Sequence, residues 1–261
     1  MELFVTEFQK FFLVLARISG IFVMAPFWGS VNILPRIKAG LALFISLSMF
    51  GIVRNHINLV PNDLLTYSLL VFSEVAVGLI IGFMATLVIS AFQISGELYS
   101  VPMGFGIVNT IDPLSQIEQP IIGQIIGLFA LLLFLCFGGH LMMLITISKS
   151  YEIVPVLKLD DCSMIVKTII TSFAGMFLTA VKISMPVMGV VFLATLAMGL
   201  LSKASPMMNI MVLGWAVTIV VGILSLIFLF PLLSTVAVNL FEQLFADIDN
   251  LLINLGENNV K

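Results

Sequence analysis

Long apolar runs separated by short polar stretches dominate the chain, and the lengths of those runs carry the first information. A hydrocarbon core of ~30 Å takes about 20 apolar helical residues to cross. Six segments reach or approach that length: 11–28, interrupted by Arg17; 37–53, the shortest; 64–92, with Glu74 inside it; 121–148; 168–201, with Lys182 inside it; and 210–245. The expected fold class is all-α, a polytopic membrane protein of about six long, partly kinked hydrophobic helices in hairpins. Residues 1–261 read as a single membrane domain.

Segments 168–201 and 210–245 exceed one crossing, and they hold Pro186 and Pro231. An internal proline lacks a backbone donor and clashes with the preceding turn, so bent or broken helices are expected there. Broken helices at membrane depth need protein or a cavity over the freed backbone groups. The connections differ in kind. Residues 32–38 form a tight turn with Pro35, 54–63 are short and polar around Pro61, and 149–167 are the most charged. Residues 93–120 are long yet weakly charged, with Gly96, Pro102, Gly104, Gly106, Pro113 and Pro120. Within them, Met103 and Phe105 belong to a glycine-rich connection rather than to a span, and connections of this length are usually functional. The polar tail after Phe245 is expected to fray or to dock on a partner. Alternating crossings put Lys10, Arg54, Lys149, Lys158, Lys167 and Lys261 together, and the positive-inside rule assigns that side to the cytoplasm.

Composition agrees. Hydrophobic residues make up 61% and charged residues 10%, against about a quarter charged in soluble domains. A net charge of -3 without a basic region argues against a nucleic-acid partner. Two cysteines, Cys136 and Cys162, and two histidines, His56 and His140, suggest neither a disulfide framework nor a metal cluster. The start Met1-Glu2-Leu3-Phe4 has no basic n-region, so the first apolar run reads as a retained span. No Walker loop, G-x-S-x-G elbow or zinc motif is present, so no catalytic residue, cofactor or metal is implied.

The intramembrane charges are the candidate chemistry. Glu74 costs at least ~2.5 kcal/mol within a bilayer unless it is compensated. Gly78, Gly82, Thr86 and Ser90 follow it at four-residue intervals, along one helical stripe. Gly78 and Gly82 form a small-xxx-small pair that lets another backbone approach. Two readings stand: a proton or ion site, and a buried carboxylate at a helix contact. Arg17 and Lys182 are the two candidate partners for its charge, within this chain or across a subunit contact. His140, after Gly138 and Gly139, reads either as a proton relay or as a histidine hydrogen-bonded to nearby backbone.

These motifs together resemble one family. Arg17-x-x-Gly20, Ala25-Pro26, Pro35 and Lys38 are similar to the amino-terminal signature of the FliR family and its injectisome counterparts. Glu74-x-x-x-Gly78-x-x-x-Gly82 resembles the family's third segment, and Gly96, Gly104 and Asp112-Pro113 its central stretch. Gly139-His140, Ser150 and Pro155, and then Met198 to Lys203 with Pro206 and Asn209, follow in the family's order. The chain departs from the pattern at Met207, where the family often has Gln, and at Ala216 and Thr218, near which the family often has Pro and Lys.

The resemblance implies a non-enzymatic subunit of the flagellar type III protein-export gate in the bacterial inner membrane, at the flagellar basal body. Its implied partners are FliP-like and FliQ-like membrane subunits, FlhB-like and FlhA-like export components, membrane lipid, and unfolded protein substrates. It implies a FliP-like part at 1–167 and a FliQ-like helical hairpin at 168–261. It also implies a loop that plugs the closed pore, at Gly104 to Pro113. Apolar side chains can close a constriction by excluding water, and glycines let backbone rearrange. On that reading Met103, Phe105, Ile107 and Val108 form a gasket, Gly104 and Gly106 are hinges, and Asp112-Pro113 ends the loop. The alternatives are a proton-coupled secondary transporter of a small solute, the homologous injectisome gate subunit, and a scaffold that never opens. A transporter usually shows matching internal repeats, and the two halves here are unlike each other.

Overall fold

The computed structural model describes residues 2–30, 33–57, 61, 63–105, 120–154, 162–204 and 210–258. Among them are seven α-helices, one short 3-10 turn (Arg54–His56) and no strand. The helices are α1 Glu2–Met24, α2 Pro35–Val53, α3 Leu64–Met103, α4 Ile121–Cys136, α5 Gly139–Ile153, α6 Cys162–Ala204 and α7 Ile210–Asn258. The all-α expectation holds, with one division more than expected.

That division falls inside the fourth apolar run. Gly138 adopts φ +77, a left-handed conformation, and its carbonyl accepts the first hydrogen bonds of α5 from Leu141 and Met142. A glycine there ends one helix and opens the next without a Cβ clash. Neither helix is broken at its proline: α6 and α7 continue through Pro186 and Pro231. Pro35 instead begins α2, where its missing N–H would have had no partner anyway. Lys38, in the first turn of α2, reaches back to the Gly29 carbonyl at 3.0 Å and closes the turn between α1 and α2.

Helix length corrects two other expectations. Helix α3 has 40 residues and ends only at Met103, so the connection after it starts about ten residues later than hydropathy suggests. The tail after Phe245 is helical as far as Asn258. Helix α7 runs on to Asn258 and buries Phe245, Ile248, Leu251, Leu252 and Leu255, spaced at i, i+3, i+6, i+7 and i+10 as one face of a helix requires. At 1.5 Å per residue, α3, α6 and α7 are about 60 Å or more long, roughly twice a hydrocarbon core.

The chain folds as two compact units. The first comprises Met1–Val88, Leu135–Phe173 and Leu240–Lys261. Its core draws Leu13, Ile18 and Ile21 from α1, Val77 and Ile81 from α3, Met143 and Ile147 from α5, and Phe241 and Ile248 from α7. The exposed Lys149–Asp249 ion pair, at 3.1 Å, joins α5 to the end of α7 on the surface of this unit. The second unit comprises Ile89–Phe134 and Ala174–Asn239. It buries Phe92, Tyr99 and Met103 of α3, Ile126 and Phe134 of α4, Val187 and Val191 of α6, and Leu233 and Ala237 of α7. Phe129 and Phe230 meet within it at 4.0 Å between ring centroids.

Candidate functional site

Arg17 and Glu74 are both fully buried in the first unit, and they hold each other. Arg17 Nε donates to Glu74 Oε2 at 2.6 Å, and Nη2 donates to Oε1 at 2.9 Å. Such a two-point contact is the strongest form of a carboxylate pair. Nη1 donates to Ser150 Oγ at 2.8 Å and Nη2 to the Val154 carbonyl at 3.0 Å. The guanidinium also lies 3.7 Å over the Tyr151 ring. Val154 is the C-cap of α5, where exposed carbonyls and the helix dipole favour a cation. One side chain thus ties α1 to α3 and to the end of α5.

The glycine stripe explains how the two charges come so close. A Cβ at Gly20 would stand 2.5 Å from the Val75 carbonyl oxygen, and one at Gly78 would collide with the Arg17 carbonyl. A Cβ at Gly82 would stand 3.0 Å from the Ala25 nitrogen and the Ile21 oxygen. The Thr86 hydroxyl continues the stripe and donates to the Met24 carbonyl. Helices α1 and α3 therefore touch backbone to backbone along Gly20, Gly78 and Gly82, as small residues permit. Lys182, the other candidate partner for Glu74, is exposed on α6.

In the second unit the end of α3 is fastened to α7. Met103 is fully buried, and it occupies the space that a Cβ at Gly222 would take, at 2.5 Å. The Thr218 hydroxyl donates to the Met103 carbonyl at 3.2 Å. Gly104 follows with φ +101, which favours glycine, and its N–H bonds the Val101 carbonyl. Met103 is thus the last residue of a helix and not part of a free connection, which corrects its expected place. Phe105 is half-buried beyond it. Gly106, Ile107, Val108, Asp112 and Pro113 lie outside the described residues. Elsewhere in this unit Gly96 and Gly123 bring α3 against α4, with a Cβ at Gly96 only 2.7 Å from the Gly123 Cα. Glu97 lies over that crossing and accepts from Gln93 Nε2 at 3.3 Å.

Several partners went unnoticed in the sequence. Tyr151 and Val154 carried no motif, and Ser150 entered only through the family resemblance. The available signal was their place at the polar end of an apolar run. Thr218, a departure from the family pattern, makes a contact of its own. Glu97 was hidden by its place in what looked like a connection. His140 is the second residue of α5, and its Nδ1 is buried without a hydrogen-bond partner among the described residues, so the expected backbone bond is not seen at that atom.

Long apolar helices, locked by an intramembrane ion pair and glycine contacts, define a polytopic helical membrane protein. The chain belongs to the family described as "Bacterial export proteins, family 1", which matches residues 8–244. It is 33% identical to the flagellar biosynthetic protein FliR of Bacillus subtilis (strain 168), over 95% of this chain and 96% of that protein. It is 26% identical to FliR of Escherichia coli (strain K12), over 97% and 95%. It is 24% identical to FliR of Aquifex aeolicus (strain VF5), over 88% of each.

Proposed function

We propose that this chain is a non-enzymatic subunit of a flagellar type III export gate, held in the bacterial inner membrane at the basal body. The observation that carries the reading is the match with FliR proteins of three bacteria over 88% to 97% of the chain. On this reading the chain assembles with FliP-like and FliQ-like subunits, beside FlhB-like and FlhA-like components. Residues 1–167 act as the FliP-like part and 168–261 as the FliQ-like hairpin. The assembly forms the closed entrance channel for unfolded substrates.

The Arg17–Glu74 geometry supports a structural role for that pair. Both Glu74 oxygens are engaged by one guanidinium, as a brace between helices would be, and this weakens the transporter reading. The plug is the segment from Gly104 to Pro113, with Phe105, Ile107 and Val108 as its apolar gasket and Gly104 and Gly106 as its hinges. Met103 serves as the anchor of that loop, because α7 holds both its side chain and its carbonyl.

The test is made in the cell that owns the protein. Cells without the chain are expected to stop secreting flagellar proteins, and the tagged chain is expected to bring down FliP-like and FliQ-like subunits. Deleting 104–110 is expected to leave the complex assembled but leaky to ions. Normal flagellar secretion without the chain would overturn the reading.

A further inference from the structure

Two contacts hold the end of α3 in the second unit, and both come from one face of α7. The Met103 side chain lies flat over Gly222, with its Cγ and Cε 2.5 Å from where a Cβ would stand. One turn earlier on α7, the Thr218 hydroxyl reaches the Met103 carbonyl at 3.2 Å. Met103 is the last residue of its helix, so that carbonyl has no donor within α3.

Thr218 has one hydrogen for two acceptors. Its hydroxyl stands 3.1 Å from the Trp215 carbonyl of its own helix, almost as near as it stands to Met103. A hydroxyl donates a single hydrogen, so the bond to Met103 competes with one inside α7. Letting go of Met103 leaves Thr218 satisfied, because its hydrogen turns to Trp215. The Met103 side chain is unbranched and flexible, and the residue beneath it has no side chain to trap it. The grip of Arg17 on Glu74 in the first unit is of another kind. There the bonds are charged and two-point, and backbone presses on backbone beside them. The first unit is thus fixed by contacts that are hard to break, and the end of α3 by contacts that part easily.

We infer that Thr218 and Gly222 are positioning residues of the gate: they hold the end of α3 against α7 in the closed state, and that end leaves α7 when the gate opens. The inference rests on the export-gate reading, which supplies a closed and an open state. Gly104 is the pivot between the held helix and the chain beyond it, since its φ of +101 carries no steric penalty for glycine. Thr218 sets the balance between the two states, because its bond to Met103 exists in only one of them.

The experiment uses the full chain in its own cells. The Met103 Cβ is one bond beyond a Cγ that lies 2.5 Å from the Cβ position of Gly222. The two Cβ positions are therefore within about 4 Å, the reach of a disulfide. M103C/G222C is expected to crosslink in the resting complex, to stop flagellar secretion while oxidised, and to recover it in reductant. T218V is expected to raise the ion leak of the assembled gate roughly two- to tenfold, the shift that one lost neutral hydrogen bond brings. T218S keeps the hydroxyl and is expected to stay at the wild-type level, and T218A reports the loss should T218V not assemble. If Thr218 served the fold alone, T218V would lower the melting temperature and leave the leak unchanged. A pair that does not crosslink, a crosslinked chain that still secretes, or a hydroxyl-free variant as tight as the wild type would each overturn the inference while leaving the gate reading standing. Normal secretion in cells that lack the chain would overturn the gate reading and this inference with it.

Discussion

Arg17 meets both oxygens of Glu74, at 2.6 and 2.9 Å, while its remaining contacts fall on Ser150 and on the Val154 carbonyl. Four of the five guanidinium hydrogens are thereby used, so two helices, α3 and α5, satisfy the cation carried by α1. Removing one member of such a pair strands the other in a fully buried site. R17A or E74A is expected to cost about 3–5 kcal/mol, read as a lower melting temperature of the purified chain in detergent. Replacing both residues with apolar ones, as in R17M/E74L, is expected to recover most of that loss. Exchanging the charges, R17E/E74R, is expected to fail, because a carboxylate at position 17 would face the Val154 carbonyl. Full recovery by exchange would show that the Val154 and Ser150 contacts matter little.

The contact of α1 with α3 admits no Cβ at Gly78, since the atom it would strike is backbone. G78A is expected to lose stability by about 1–3 kcal/mol or more. G40A on α2, where nothing stands within 4 Å, is expected to gain roughly 0.5–1 kcal/mol from lower backbone entropy in the unfolded chain. Thermal melting of the two variants side by side checks the sign of each.

At Gly222 the obstacle is the flexible Met103 side chain rather than backbone. G222A is therefore expected to be milder than G78A, and M103A to cost about 2–5 kcal/mol through the cavity it leaves. M103A should also free the start of the following segment, which protease cleavage between residues 104 and 120 would report. Unchanged cleavage would count against Met103 as an anchor.

The last turns of α7 test burial against charge. D249A removes a surface partner of Lys149 and is expected to cost less than ~1 kcal/mol, with salt lowering it further. L252A, at a fully buried position, is expected to cost about 2–5 kcal/mol. Equal losses in the two variants would contradict the docked helix end.

Glu74 and Arg17 were legible because a charge inside an apolar run has to be compensated. The choice of Arg17 over Lys182 was not legible. It depends on the Gly20–Gly78 contact, and nothing along the sequence says which two stripes of small residues meet. The helix break was missed at Phe137-Gly138-Gly139 because hydropathy does not sense a positive φ. The reach of α3 was misjudged at Pro102, which looks like a helix breaker. The proline stands one residue from the end of its helix, so it marks where α3 stops rather than a break within it. The acidic residues after Phe245 drew attention from the apolar positions on the opposite face of the same helix.

The three-helix grip of Arg17 also sets an order on biosynthesis. Its carboxylate partner lies 57 residues further along the chain and Ser150 lies 133 residues further. At about 5–20 residues per second, the ribosome needs roughly 3–11 s to reach Glu74 and about twice that to reach Ser150. Through that interval α1 carries a cation with none of its final partners. The grip that fixes α1 against α3 and α5 is therefore completed only after α5 has been made.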